Sequence, residues 1–262
     1  MRMEFSSVVF GPLTLARATR VDAVEWVRAQ ARAGRSCVVV TSNIHHLRLA
    51  ERDAAFRDVV GRSELNVADG WPLVRASQLM RSPLPERVAG VDLVADVLAT
   101  PARLRLAVIG GAPGAAELLA EAAARDHDIA LVDPLPRGTW STATAQADLA
   151  ARLADARAQV TLLGVGAPQQ ELLADRLRPA AAGPIICCGA SIEILAGIRP
   201  RAPHAVQALG LEWAFRLVLE PTRLGPRYVA AGAGFLRVLA RELRSRRASA
   251  RGEVDDGQRG EE

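Results

Sequence analysis

Short apolar runs alternate along this chain with longer stretches in which apolar positions recur roughly every three to four residues. The runs Val8–Phe10, Cys37–Thr41, Leu65–Ala68, Leu104–Ile109, Ile129–Val132, Val160–Gly164 and Pro184–Cys188 have strand length and few polar positions. That is the pattern of strands covered on both faces. The intervening stretches, around Val21–Ala33, Ile44–Val60, Pro72–Met80, Asp92–Ala99, Gly114–Arg125, Ala145–Ala156 and Gln169–Arg178, carry the helical period. This alternation predicts an α/β fold, a Rossmann-like and mainly parallel sheet with helices on both faces. Ligands of such sheets bind at the carboxyl ends of the strands.

The pattern changes after Gly189. Arg199-Pro200-Arg201-Ala202-Pro203 interrupts it, and the residues beyond Pro203 are helical in period and rich in arginine. The expected division is a catalytic core over 1–198, a basic helical appendage over 199–245 and a disordered polar tail over 246–262. The last helix sets Phe235, Leu236, Leu239 and Leu243 on one face and Arg237, Arg241 and Arg244 on the other. Such a face lies on an anionic membrane or packs on the protein's own core.

At 262 residues, half of them hydrophobic, the chain can bury a full core. Its net charge of +4 rests wholly on arginine, because lysine is absent, and it favours anionic partners. Cys37, Cys187 and Cys188 sit inside apolar runs; the odd count and the opposed directions of neighbours on a strand argue against a disulfide framework and for a reducing compartment. No signal-like N-terminus and no run of eighteen apolar residues is seen, so the expectation is a protein neither secreted nor spanning.

Candidate chemistry sits at predicted strand ends. Asp69, after the strand Leu65–Ala68, is a candidate base, or else only a cap for the next helix. Thr41 and Asn43 follow the strand before it, as polar ligand contacts or as a cap. Gly110, Gly111 and Gly114 form a glycine-rich strand-to-helix turn whose backbone N–H groups suit a diphosphate. Gly166 belongs to a second such turn, which adds Gln170 and Glu171. Arg87 and Asp92 form a candidate structural ion pair.

Taken bare, the glycine turns also fit a nicotinamide-binding oxidoreductase, with Asp133 about 20 residues after Gly114 as its ribose-binding acid. The G-x-G-x-x-G spacing is missing, however. A catalytically silent membrane-bound binding module is a third reading. Asp126-His127-Asp128 precedes a strand and falls at the amino edge of the sheet, where a solvated turn is expected, and adjacent His45 and His46 point about 100° apart on a helix. No metal site is expected.

In order, Thr41-Ser42-Asn43, Ala68-Asp69-Gly70, Glu86 to Asp92, Gly110 to Gly114, Gly164 to Glu171, Arg201-Ala202-Pro203, Leu211 to Leu217, Glu220 to Arg223 and Arg227-Tyr228 resemble the WecG/TagA/CpsF glycosyltransferases, glycosyltransferase family 26. The resemblance runs from about Val8 to Leu239. It implies inverting, metal-independent transfer, without a cofactor, from a nucleotide-sugar donor such as UDP-N-acetylmannosamine or another UDP-hexose. The implied acceptor is a sugar on a polyprenyl pyrophosphate, in teichoic acid or other cell-wall or exopolysaccharide synthesis. By the same resemblance Asp69 is the base, Thr41 and Asn43 hold the acceptor or donor sugar, and Gln170 and Glu171 meet the nucleotide. Arg216, Arg223 and Arg227 match appendage arginines of the active site. The implied location is cytoplasmic, peripheral on the inner face of the bacterial plasma membrane. Its partner is the anionic membrane surface, with no nucleic acid and with homo-oligomers left open. The departure over Val132 to Trp140 leaves the donor sugar open, those at Gln169 and Glu193 leave the contacts to the nucleotide base open, and Trp71-Pro72 changes the wall beside Asp69.

Overall fold

A computed structural model describes the backbone of residues 5–136 and 138–259, and the side chains of these except 204, 208, 223 and 247–259. The chain opens with a hairpin, β1 (Ser7–Phe10) and β2 (Leu13–Ala16), turned by Gly11 at φ +55° and Pro12. A two-residue turn that begins at a positive φ needs glycine there.

Six parallel strands come next: β3 (Cys37–Ser42), β4 (Leu65–Ala68), β5 (Arg105–Gly110), β6 (Asp128–Asp133), β7 (Val160–Gly164) and β8 (Pro184–Cys187). They lie in the order β4-β3-β8-β7-β5-β6. Side chains alternate between two apolar layers, Val38, Val40, Ile109 and Cys187 entering one, Val39, Val108, Leu162 and Ile186 the other. Both faces are therefore covered, as the near-continuous apolar strands require. One layer is filled from α1 (Arg20–Arg32), α5 (Gly90–Leu98), α6 (Ala115–Ala123) and α9 (Ser191–Leu195). The other takes α2 (Ile44–Arg52), α3 (Ala54–Gly61), α4 (Trp71–Leu79), α7 (Ala143–Ala156) and α8 (Gln169–Leu177), together with the hairpin.

Two elements differ from expectation. The helical pattern over Ile44–Val60 is two helices, because Asp53 leaves the helical region and its side chain accepts from Phe56 N–H at 3.1 Å as the cap of α3. The second strand of the opening hairpin adds an element that the apolar runs do not predict.

The remaining helices are α10 (His204–Ala208), α11 (Glu212–Leu219) and α12 (Pro221–Arg259). Of the two readings of the apolar face of α12, packing on the protein's own core is the one found: Val238 is fully buried, and Phe235, Leu239 and Leu243 pack beside it. Phe235 lies 5.7 Å from the ring of Phe10, and Arg241 pairs with Glu51 of α2. Of the four apolar residues predicted for that face, Leu236 is the exposed one. The backbone of α12 continues past the expected start of the tail at 246, whose side chains from 247 onward lie outside the described residues.

Candidate functional site

Parallel strands end together, so residues that follow them share one edge of the sheet. A cavity of about 1410 Å³ opens there. Its wall includes Thr41 and Asn43 after β3, Asp69 after β4, Gly111 after β5, Gly166 after β7 and Gly189 after β8. It is completed by Glu212, Trp213 and Arg216 of α11 and by Arg227, Tyr228 and Leu236 of α12. This volume exceeds the roughly 300–1,000 Å³ that holds one small ligand, so two reactants fit side by side.

Asp69 is fixed by its own backbone, whose N–H donates to Ser42 O at 2.7 Å. The loss of surrounding water raises its pKa; Arg87 and Arg216 pull it down, Glu212 raises it further, and the backbone N–H of Gly90 pulls it down. Gly90 has to be small here. A Cβ on it would lie 3.0 Å from Thr41 Oγ1 and 3.4 Å from Ser191 Oγ. The carboxylate thus stands out of water between cations brought by two separate segments, the loop before α5 and helix α11.

Arg87, Arg199, Arg216 and Arg227 line the cavity. Arg87 donates to Glu212 at 2.9 Å and lies 3.8 Å from Asp92, while Arg199 pairs with Glu220 at 3.0 Å. The expected Arg87–Asp92 pair is therefore present but secondary to the one with Glu212. Arg216 meets Glu212 at 3.4 Å. Helices α6 and α8 begin at the cavity through Gly111, Ala112, Pro113 and Gly166, Ala167, Gln169, so the positive ends of their dipoles face it.

Behind the wall runs a buried polar chain. Asn43 caps α2, its Oδ1 accepting from His45 N–H at 2.9 Å and lying 3.2 Å from His46 Nδ1. His46 Nε2 lies 3.1 Å from Glu171 Oε1, which also accepts from Gln170 Nε2 at 2.7 Å. Gln170 Oε1 accepts from the backbone N–H groups of Gly166 at 3.2 Å and Gly189 at 3.0 Å, tying the ends of β7 and β8 together. With Asn43 Oδ1 engaged, its amide nitrogen is the group left for the cavity.

The structure thus gathers Thr41, Asn43, Asp69, Gly111, Gly166, Gln170, Arg216 and Arg227 around one space. Glu171 lies beneath the wall with no exposed surface, and Gly110 and Gly114 stand off it. At Gly110 a Cβ would meet Val165 Cγ1 at 2.7 Å, so this glycine serves the packing of β5 on β7. The side chain of Arg223 lies outside the described residues. Asp133 is held by Arg152 and by Leu135 N–H away from the cavity, so it is not placed to bind a ribose there. The Asp126-His127-Asp128 turn is at the amino edge as expected, but His127 is buried rather than solvated and accepts from Leu104 N–H at 3.3 Å. Among the described residues no three His, Cys, Asp or Glu side chains converge as a metal site.

His45, beside Arg227 in the wall, is held neutral: burial, then Arg227, His46 and Arg48, push its pKa down to about 3. The unfolded chain takes up this proton near pH 6.5, so the stability it contributes is complete above that pH and is lost as pH falls toward 3. We expect a ring NMR signal for His45 that does not titrate between pH 5 and 8; protonation inside that window would contradict the burial.

Sequence reasoning placed Trp71 beside Asp69 but did not assign Glu212 or the rest of the aromatic lining. Trp71, Trp140, Trp213 and Tyr228 face the cavity; the Arg75 guanidinium lies 5.5 Å from the ring centre of Trp71, and Trp213 meets Tyr228 edge-on at 6.2 Å. Clustering of scarce aromatics in the segments flanking Asp69 and Arg216 was the available signal. Over residues 9–249 the chain matches the family model described as Glycosyl transferase WecG/TagA/CpsF family.

Proposed function

Since the chain belongs to the WecG/TagA/CpsF family of glycosyl transferases, we propose that it moves a sugar from a nucleotide-diphosphate donor to a sugar carried on a polyprenyl pyrophosphate, with inversion and without a metal. Family members are glycosyltransferases of cell-wall polysaccharide synthesis, which calls for a nucleotide-sugar donor and a lipid-linked acceptor. The observation that carries the finer reading is Asp69, desolvated in the cavity wall and flanked by Arg87 and Arg216.

In this mechanism the Asp69 carboxylate removes the proton of an acceptor hydroxyl as its oxygen attacks the anomeric carbon. The bond from that carbon to the donor's diphosphate breaks on the opposite side, and the nucleoside diphosphate leaves with the electron pair. Arg216 and Arg227 and the amino ends of α6 and α8 meet the growing charge. The amide nitrogen of Asn43 and the hydroxyl of Thr41 orient a sugar. Gln170 and Glu171 act by fixing this wall, through Gly166, Gly189 and His46.

The appendage also supplies the surface that we place on the inner leaflet. No helix among the described residues is long and apolar enough to cross a membrane. Exposed apolar side chains gather on α11, α12 and the turn before them: Leu209, Leu211, Trp213, Val218, which is 79% exposed, Val229, which is 76% exposed, and Leu236. Trp213 and Leu236 also line the cavity, so the mouth opens where a lipid-borne acceptor would arrive.

A panel of UDP- and GDP-sugars, offered with either a vesicle-borne or a short-chain soluble polyprenyl-pyrophosphate sugar, tests both parts. One donor is expected to turn over. Val218→Asp with Val229→Asp is expected to slow transfer to the vesicle-borne acceptor while sparing the soluble one. No turnover of any donor by folded protein would overturn the reading, and equal rates on vesicles would overturn the assigned membrane face.

A further inference from the structure

We propose that Glu212, carried by the appendage, is a positioning residue that holds Arg87 off the Asp69 carboxylate, so that the docked appendage sets how basic Asp69 is. The inference rests on Asp69 being the base. Glu212 starts α11 and is buried, its two carboxylate oxygens accepting from Arg87 at 2.9 Å and facing Arg216 at 3.4 Å. Asp92 takes the other side of Arg87 at 3.8 Å and is itself held by Arg201. One arginine from the core and one from the appendage therefore share an acid that is not the base.

The charges facing Asp69 are Arg87, Arg216 and Glu212; Arg199, Arg227 and Glu193, with the imidazoles of His45 and His46, lie elsewhere in the wall. A carboxylate forked by an arginine holds its proton weakly and is a poor base. Glu212 competes for that fork. Without its charge, Arg87 and Arg216 turn their full field on Asp69 and a negative neighbour is lost, and both changes lower the proton affinity of the base.

The test is the pH profile of kcat/KM in the full-length enzyme. Glu212→Gln is expected to move the acidic limb to lower pH, with the plateau reduced by well under the roughly 10²-fold that loss of a general base costs. Arg87→Gln is expected to move it the opposite way, and the double variant to return it toward wild type. A role confined to tying down the appendage would lower the whole profile and leave the limb in place. An unmoved limb in Glu212→Gln, or in Arg87→Gln should the first variant not fold, overturns the proposal. Asp69→Asn separates the failures: activity in that variant refutes the base, whereas its inactivity beside an unmoved limb refutes only the role of Glu212.

Discussion

Asp69→Asn is expected to lower transfer by about 10²- to 10⁴-fold, the range for loss of a positioned general base, while the melting temperature stays level or rises. The two halves have one cause. Burial raises the Asp69 pKa against the pull of Arg87 and Arg216, so the folded state holds this proton more tightly than the unfolded chain does. By linkage, its contribution to stability falls as pH rises from the unfolded value through the raised folded one. At neutral pH the ionised side chain is therefore a burden on the fold, and the neutral amide of equal shape removes it. The amide accepts no proton from an acceptor hydroxyl. Turnover of the working donor and thermal melting of the same sample check both halves. Wild-type turnover in the variant would remove Asp69 from the mechanism, and a large drop in melting temperature would make it structural.

Phe56→Ala is expected to destabilise the protein by about 3–5 kcal/mol, the cost of deleting a fully buried aromatic ring and leaving its space unfilled. Phe56 has no exposed surface and sits on α3 with its ring 5.9 Å from that of His46. Domains of this kind are stable by only about 5–15 kcal/mol, so the midpoint of urea unfolding should fall steeply with the slope unchanged. The effect reaches the site as well. His46 loses its backing and with it the hold on Asn43, so turnover at a temperature where the variant is folded should fall too. A loss under about 1 kcal/mol would show that the layer between α2 and α3 collapses without strain.

The β-α alternation was legible because strands buried on both faces read as apolar runs, and the edge where Asp69, Thr41 and Asn43 meet followed from that topology alone. The hairpin strand Leu13–Ala16 was not legible, since four residues after Gly-Pro carry too short a period. Nor was the break at Asp53, across which the helical spacing continues. The polar chain behind the wall depends on His46 meeting Glu171, 125 positions away, and the acid that holds Arg87 is equally remote. No local pattern announces either pair. For α12 the amphipathic face was legible but not its partner, because an apolar stripe shows that something must cover it and not what does. Here Phe10 and α2 do.

The seat of α12 is made by residues far before it in the chain: Gly11 has no room for a side chain because Val238 fills the space beside it, at 2.8 Å from where a Cβ would stand. Thr41 and Leu236, also far apart in sequence, line the same cavity. During translation, then, the hairpin and α2 emerge with their apolar seat uncovered, and it stays uncovered until the ribosome has extruded α12. A nascent chain stalled before α11 lacks Glu212, Trp213 and Arg216, so its cavity wall is incomplete. The same missing helices thus leave the apolar seat bare and the cavity open until synthesis is complete.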